Sequence, residues 1–402
     1  MTTTRETQFP VGASVTLDEL QNNPYPAIAR LRATEPVSWI PAFDGWFITS
    51  RRLAVEAMRD AERLTVDDPR FSTAAVLGPS MLSVEGAEHD RHRAPFAPSF
   101  RPAMVREQFD DFLADEAARL IAAISAHGRA ELRSAVAGPL AVNTITRFLG
   151  LDGVTPHEVL GWYTDISDAI VGVTRGEPIP ETCRSAVREI GDRVTATIER
   201  GADALLRDVQ AHGGLRNDEL GSATIVLMFG AIETSEAMIA NLLWHLLQHP
   251  DLLAQVRADR TLVAAAIEES LRLEPAAAVV DRYTTADVQI GGIQIPKGDL
   301  VSVSLLGANR DGDVFDDPDV FRLGRSNIGK HVTFVHGPHA CIGLHLARLE
   351  TVAALNAVLD GCPDLVLDSE ASTAPSGLIF RKPDRLVASW APTPQQPERV
   401  RL

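Results

Sequence analysis

Cysteine is scarce in this chain of 402 residues: Cys183, Cys341 and Cys362 are the only three, with no paired spacing. That argues against a disulfide framework and a four-ligand structural zinc site, and it suits a reducing cytoplasm. Lysine is equally rare, at Lys297, Lys330 and Lys382, so 35 of the 38 basic residues are arginine. With abundant alanine, this bias suggests a GC-rich bacterial genome. No Pro/Gly/Ser-rich linker, repeat or low-complexity block divides the chain, so one large domain over 1–402 is expected despite the length. Long hydrophobic runs are missing too. The longest, 225–232, is far shorter than the roughly 20 residues of a membrane-spanning helix, and the polar segment 1–8 has no apolar stretch of a signal peptide or anchor. Positive charge is outweighed, at a formal net charge of -16, which disfavours nucleic acid as a partner.

What is present is mostly helical patterning. Apolar residues make up 45% of the chain, enough for a sizeable core. The runs 37–40 and 46–49 read as strands joined by a turn through Pro41 and Gly45, and Ser50 is placed to cap a helix running to Met58. Helical periodicity then dominates from about 102 to 273. Segments 288–295, 300–305 and 386–390 read as short strands. The fold class is therefore mainly α with a small β portion. Within it, 218–249 reads as one helix of roughly 48 Å at 1.5 Å per residue, apolar enough in its middle to be buried on most sides. That middle contains Gly230-Ala231-Ile232-Glu233-Thr234-Ser235. A buried glutamate needs hydrogen bonds or a proton, and a mid-helix threonine can bond back to the carbonyl four residues earlier and bend the helix.

Cys341 stands apart from the other two cysteines. It lies in Phe334-Val335-His336-Gly337-Pro338-His339-Ala340-Cys341-Ile342-Gly343, directly before a helical stretch at 344–359. Glycines four before and two after it let the backbone turn sharply and approach a flat object without Cβ clashes. A thiolate at such a helix start gains from the N-terminal dipole and nearby N–H groups, which are expected to lower its pKa and keep it charged. Cys183 and Cys362 have no glycine-framed turn and read as small buried hydrophobes.

The combination of Phe334, Gly337, His339, Cys341, Gly343, Ala347, Arg348 and Glu350 at fixed offsets resembles the haem-binding loop of the cytochrome P-450 family, and the resemblance covers nearly the whole chain. It implies the fold of that family, a single large haem domain with no fused reductase, and haem b (iron protoporphyrin IX) as cofactor with Cys341 as its proximal thiolate ligand. It further implies that Thr234 hydrogen-bonds dioxygen at the iron while Glu233 relays protons, and that Ala231, Phe334 and Gly343 lie against the haem. His89 and Arg93, four apart, match the family's propionate-binding pair on an early helix, and Arg282 and His339 match the other two propionate contacts. Glu269, Arg272 and Arg325 match a buried triad behind the haem. Two positions depart from the family pattern: Ala231 stands where glycine is more frequent and could narrow the oxygen pocket, and Val335 replaces a frequent glycine, a change expected to alter packing more than ligation.

The implied activity is insertion of one atom of dioxygen into a small, bulky, apolar substrate in bacterial secondary metabolism. Segments 74–82, 162–173, 229–234, 276–281 and 376–380 would form the pocket. Electrons would come from a separate ferredoxin and ferredoxin reductase docking near Cys341, with Arg93, His336, His345 and Arg348 as candidate contacts. A peroxide-driven, ring-coupling or desaturating enzyme shares most of these residues, and a haem-thiolate gas sensor is the non-enzymatic alternative. The pair Glu233 and Thr234 favours oxygen activation over the peroxide-driven and sensing alternatives.

Overall fold

The structure, a computed structural model, describes residues 4–151, 153–174, 177–199 and 205–392. The ends of the domain expected over 1–402 lie outside the described residues. Its axis is the helix Asn217–Gln248, within one residue of expectation at each end. Twenty of the side chains from Glu219 to Leu247, together with Gly221, are buried, because helices at Gly138–Leu149, Glu181–Glu199, Val263–Leu273 and Leu344–Gly361 pack around it. By length and composition this helix could cross a membrane, contrary to the impression from its longest apolar run. Yet 67% of its most apolar window is buried inside the protein, so its hydrophobicity serves a core.

A five-stranded mixed sheet flanks the helices, in the order Val37–Ile40, Gly45–Ile48, Leu300–Ser304, Val279–Thr284 and Leu64–Thr65. The first two strands form the expected antiparallel hairpin, with Trp39 opposite Trp46. Its turn is a short 3-10 segment, Pro41–Phe43, closed by Asp44 at φ 50°. Ser50 caps the helix Arg51–Arg59 as expected, accepting from the Leu53 N–H.

Three local expectations are corrected. Segment 288–295 is two strands, Val288–Ile290 and Ile293–Ile295, because Gly291 and Gly292 take φ 57° and 83° and reverse the chain. The helical region 102–273 is interrupted by the strand Arg129–Glu131, which pairs with Val387–Ser389, and by a π-helical turn at Arg133–Ala137. The strand Val279–Thr284, which carries Arg282, was not foreseen. Its run Val279-Val280 is short, and Asp281 and Arg282 break the apolar signal, so only pairing with Leu300–Ser304 defines it.

Two buried ion-pair clusters join these parts. Glu269 Oε1 accepts from Arg272 Nη2 at 2.8 Å and Arg325 Nε at 2.7 Å, with all three side chains at most 1% exposed. The Arg322 N–H adds a bond at 3.0 Å. The remaining guanidinium hydrogens go to the carbonyls of Asn309, Asp316, Asp317, Pro318 and Val320. Burial pushes the Glu269 carboxyl upward, but the two guanidiniums outweigh it and hold the group below its ordinary value. The second cluster was not recognised in the sequence. Arg381, fully buried, binds Glu274 at 2.7 Å and the carbonyls of Gln21, Pro375 and Gly377, while Tyr25 donates to the same glutamate, tying the N-terminal helices to the C-terminal hairpin.

Glu350, the last residue of the cysteine-loop pattern, is buried between helices. Its carboxyl meets the hydroxyls of Ser235 and Thr144, its Oε1 has no partner, and burial raises its pKa to about 7. Thr144 already donates its own hydrogen to Leu140 O at 2.7 Å, so it can only accept from Glu350. A protonated carboxyl suits that position.

Glu269→Gln should lower the unfolding free energy by about 3–5 kcal/mol, because two guanidiniums would stay buried without their counter-charge. An unchanged urea midpoint would remove the triad from the stabilising interactions. Glu350 gives a pH signature. Its folded pKa lies above the ordinary glutamate value of 4.5, so its contribution is complete below that value and is lost as the pH rises through about 7. At about 1.4 kcal/mol per unit, the loss is on the order of 3 kcal/mol. Melting curves across this range should therefore fall less steeply with pH for Glu350→Gln than for the wild type.

Candidate functional site

The cysteine loop is shaped by two left-handed residues. Val335 has φ 64° and Gly337 φ 81°, and the loop closes with Val335 N–H to Val332 O at 2.8 Å and Cys341 N–H to Phe334 O at 2.9 Å. Gly337 is required: a Cβ there would collide with Met58 O and Arg59 Cα at the end of the helix Arg51–Arg59. At Val335 the replacement of a frequent glycine adds a backbone cost to the packing change expected there. A β-branched residue in the left-handed region costs about 1–2 kcal/mol, offset here by apolar contacts with the cluster behind the sheet.

Cys341 lies deep in the fold yet keeps open surface, the combination expected of a side chain facing an internal space. The expectation of a lowered pKa does not hold for the protein groups alone. Burial pushes the thiol up, and the Gly343 N–H, Arg93, Arg348 and the Leu344 N–H only partly counter it. The helix-start effect exists, but desolvation is larger. Gly343 is the N-cap of Leu344–Gly361. Phe334 lies under the Arg348 guanidinium, 4.4 Å from its ring centre, and Arg348 is fixed by Glu268 at 2.6 Å.

Beside the loop, the structure brings together the four cationic or imidazole residues singled out in the sequence. Arg93 Nη2 donates to Ala340 O at 2.7 Å, one residue before the cysteine. The His89 and His339 rings are 4.5 Å apart. His339 Nε2 is 2.9 Å from Glu85 Oε2, and Arg282, 4% exposed, is held in the same field, donating among the described residues to the Asp281 carbonyl alone. Burial, then the neighbouring His339 and Arg93, lowers the pKa of His89. Glu85 was missed by the sequence reading; it carries no pattern of its own. Burial pushes its carboxyl up, but bonds from His339 and the Val66 N–H and the charge of Arg282 bring it below its ordinary value.

On the central helix, Gly230 is exposed although residues 223–228 are buried, and outside its own helical turn no atom lies within 4 Å of where a Cβ would stand. Thr234 Oγ1 donates to Gly230 O, the back-bond anticipated from the sequence. Ala231 is half-buried and packs against the main core. Glu233 is more heavily engaged than its position suggests. Its Oε2 accepts from Tyr163 OH at 2.6 Å and from Lys382 Nζ at 2.9 Å, and Lys382 also reaches Glu236 at 2.5 Å. Tyr163 lies in the segment 162–173 expected to line the pocket, but its bond to Glu233, like that of Lys382, carries no sequence signal, since their elements meet this helix only in the tertiary structure.

Several of the segments expected to line a pocket converge here. Phe229 stacks on Tyr163 with centroids 5.4 Å apart and meets Phe380 edge-on at 6.0 Å. Ala277 and Phe380 form an isolated bridge, which holds the run Ala276-Ala277-Ala278 against the C-terminal loop.

The residues fit a haem. His89 Nε2 is buried with no partner, Arg282 is buried with no carboxylate bonded to it, and the thiol faces open space. A flat dianion carrying its own metal would satisfy all three. Among the described residues no cluster of three or more His, Cys, Asp or Glu could bind a bare ion, so a lone cysteine suits a metal that arrives already ligated.

Known proteins agree. The family model for Cytochrome P450 matches residues 181–363. The chain is 33% identical over 374 residues to the cytochrome P450 monooxygenase PikC of Streptomyces venezuelae, covering 86% of this chain and 85% of that protein. It is 31% identical to nocardicin C N-oxygenase of Nocardia uniformis subsp. tsuyamanensis, covering 97% and 100%. Among solved structures, the cytochrome P450 enzyme CxnD, for C-S bond formation in chuangxinmycin biosynthesis, is similar at TM-score 0.84 and 29% identity over 95% of this chain and 99% of that one. With fold, cysteine loop and relatives in accord, the chain belongs to the cytochrome P450 family and is a haem-thiolate monooxygenase.

Proposed function

We propose that this enzyme hydroxylates or otherwise oxygenates a bulky, largely apolar natural product in the bacterial cytoplasm, using haem b held by Cys341. The observation that carries the reading is the deep thiol with open surface beside His89, Arg93, Arg282 and His339. Bound haem iron supplies reductive activation of dioxygen, with one atom going to the substrate and the other to water. Each protein group has a separate task. Cys341 contributes a thiolate, whose charge the metal stabilises against the cost of burial. His89, Arg93, Arg282 and His339 bind the two propionates, and Phe334 and Gly343 shape the face around the sulfur.

Thr234 and Glu233 handle protons on the opposite face. Thr234, bonded to Gly230 O, presents its hydroxyl oxygen beside the exposed Gly230. Glu233 sits one residue away with Lys382 at hand, a carboxylate able to take up and release protons near an otherwise apolar space. The half-buried Phe229, Tyr163 and Phe380 with the small Ala276-Ala277-Ala278 run suit a wide apolar substrate. Nocardicin C and chuangxinmycin, named for two similar proteins, support a natural-product scaffold.

Electrons come from a ferredoxin and its reductase. Of the candidate contacts, Arg93 and Arg348 are already engaged within the protein. Exposed Arg59 and Arg106 surround His336 and His345, giving a chain of net charge -16 a positive edge near the cysteine loop. An acidic carrier suits that edge.

Replacing Cys341 with Ser should abolish the red-shifted Soret band of the reduced, carbon monoxide-treated protein, and persistence of the band would end the assignment. Candidate substrates are best ranked by the low-spin to high-spin shift of the ferric enzyme. With one in hand, Thr234→Ala should divert electrons to peroxide and cut product formation by about 10²-fold, the scale of one positioned proton-transfer group. Unchanged coupling would exclude Thr234 from proton delivery.

A further inference from the structure

Tyr163 has two ends with different neighbours. Its ring is stacked on Phe229, which meets Phe380, and all three are only half-buried, so they form a wall facing open space. Its hydroxyl donates to Glu233 Oε2 at 2.6 Å. Phe229 and Glu233 are four residues apart on the central helix and therefore share one face of it. Tyr163, from the helix Pro156–Thr174, spans both.

A second place exists for that hydroxyl. Ser167, four residues after Tyr163 on the same helix, has a buried Oγ beside the tyrosine oxygen, in contact with it but short of full hydrogen-bond geometry. A buried hydroxyl so weakly paired is unusual in a folded protein. A small void lined by Trp162, Ile166, Ile190, Ile225 and Met228 also lies against Tyr163 and Phe229. Glu233 does not depend on the tyrosine for charge balance, because Lys382 stands 2.9 Å away and Arg133 at 3.0 Å from Glu236 completes the group. The tyrosine donor is uncharged, so exchanging its bond leaves the ion pair between Glu233 and Lys382 intact.

We propose that Tyr163 is a positioning residue that reports pocket occupancy to Glu233: an apolar ligand pressing on the Phe229–Phe380 wall moves the tyrosine hydroxyl from Glu233 to Ser167. The carboxylate then keeps Lys382 but has one oxygen free to turn toward Thr234. This rests on the reading of Glu233 as the proton-handling acid. It makes proton delivery conditional on an occupied pocket, which limits idle consumption of electrons.

Infrared difference spectroscopy on the haem-loaded protein tests it, with 4-phenylimidazole as probe, whose nitrogen takes the iron and whose phenyl group enters the pocket. The carboxylate band of Glu233 is assigned by its loss in Glu233→Gln. Ligand binding should shift that band in the wild type. In Tyr163→Phe, which keeps the stacked ring, the band should already stand at its ligand-bound position and the ligand-induced shift should be lost. Ser167→Ala, which leaves the tyrosine untouched, should diminish the shift. All variants should form the nitrogen-bound absorption spectrum to full amplitude, showing an intact site. A wild type without a shift, or the full shift in both Tyr163→Phe and Ser167→Ala, overturns the proposal. If Glu233→Gln leaves peroxide release unchanged, the acid's role in proton delivery fails, while the infrared result stands or falls by itself.

Discussion

The buried carboxylate of Glu269 is the constraint on which the site depends. The chain between Asn309 and the cysteine loop contains no strand and only a short 3-10 turn, so many of its carbonyls have no regular partner. Arg272 and Arg325 satisfy five of them, and Glu269 holds both guanidiniums in place. Irregular backbone inside a protein is tolerable only when its polar groups are paired. Here that pairing turns a loop into a rigid platform leading to Phe334 and Cys341. A Gly337 that touches the helix Arg51–Arg59 and a strained Val335 complete it.

Electrostatics then divide the site into two unlike halves. On one side, two histidines and two arginines gather around the carboxylate of Glu85, with Asp90 beside His89 and Asp281 beside Arg282, within a protein of net charge -16. A buried Arg282 bonded to no carboxylate among the described residues is costly unless something anionic meets it, and the unpartnered His89 nitrogen points to the same need. The thiol of Cys341 makes the complementary demand. Burial opposes its charge, so a cation at the sulfur is what stabilises the anion. On the central helix, Lys382 and Arg133 balance Glu233 and Glu236, which keeps a carboxylate available next to an apolar wall.

The sequence carried the parts whose cause is local. The cysteine loop is contiguous, and its glycines, histidine and cysteine must fall in register within ten residues. The central helix was legible to within one residue because its apolar middle is a local feature. The hairpin before Ser50 was legible from the turn residues and short apolar runs around it. Glu269 and Arg272, though close in the chain, were marked as buried partners only by the family resemblance.

Only the tertiary structure decided what depends on elements distant in sequence. It brought Tyr163 and Lys382 to Glu233 across 70 residues in one case and from the far end of the chain in the other. It placed Glu85 on His339, made a strand of the segment carrying Arg282, and buried Cys341 deeply enough to reverse the expected direction of its pKa. The physical reason is common to all of these. Hydrogen-bond partners and desolvation are set by what packs around a group, and that is a property of the assembled core. The sequence by itself determined the family, the thiol and the central helix; the packing determined the charge around them.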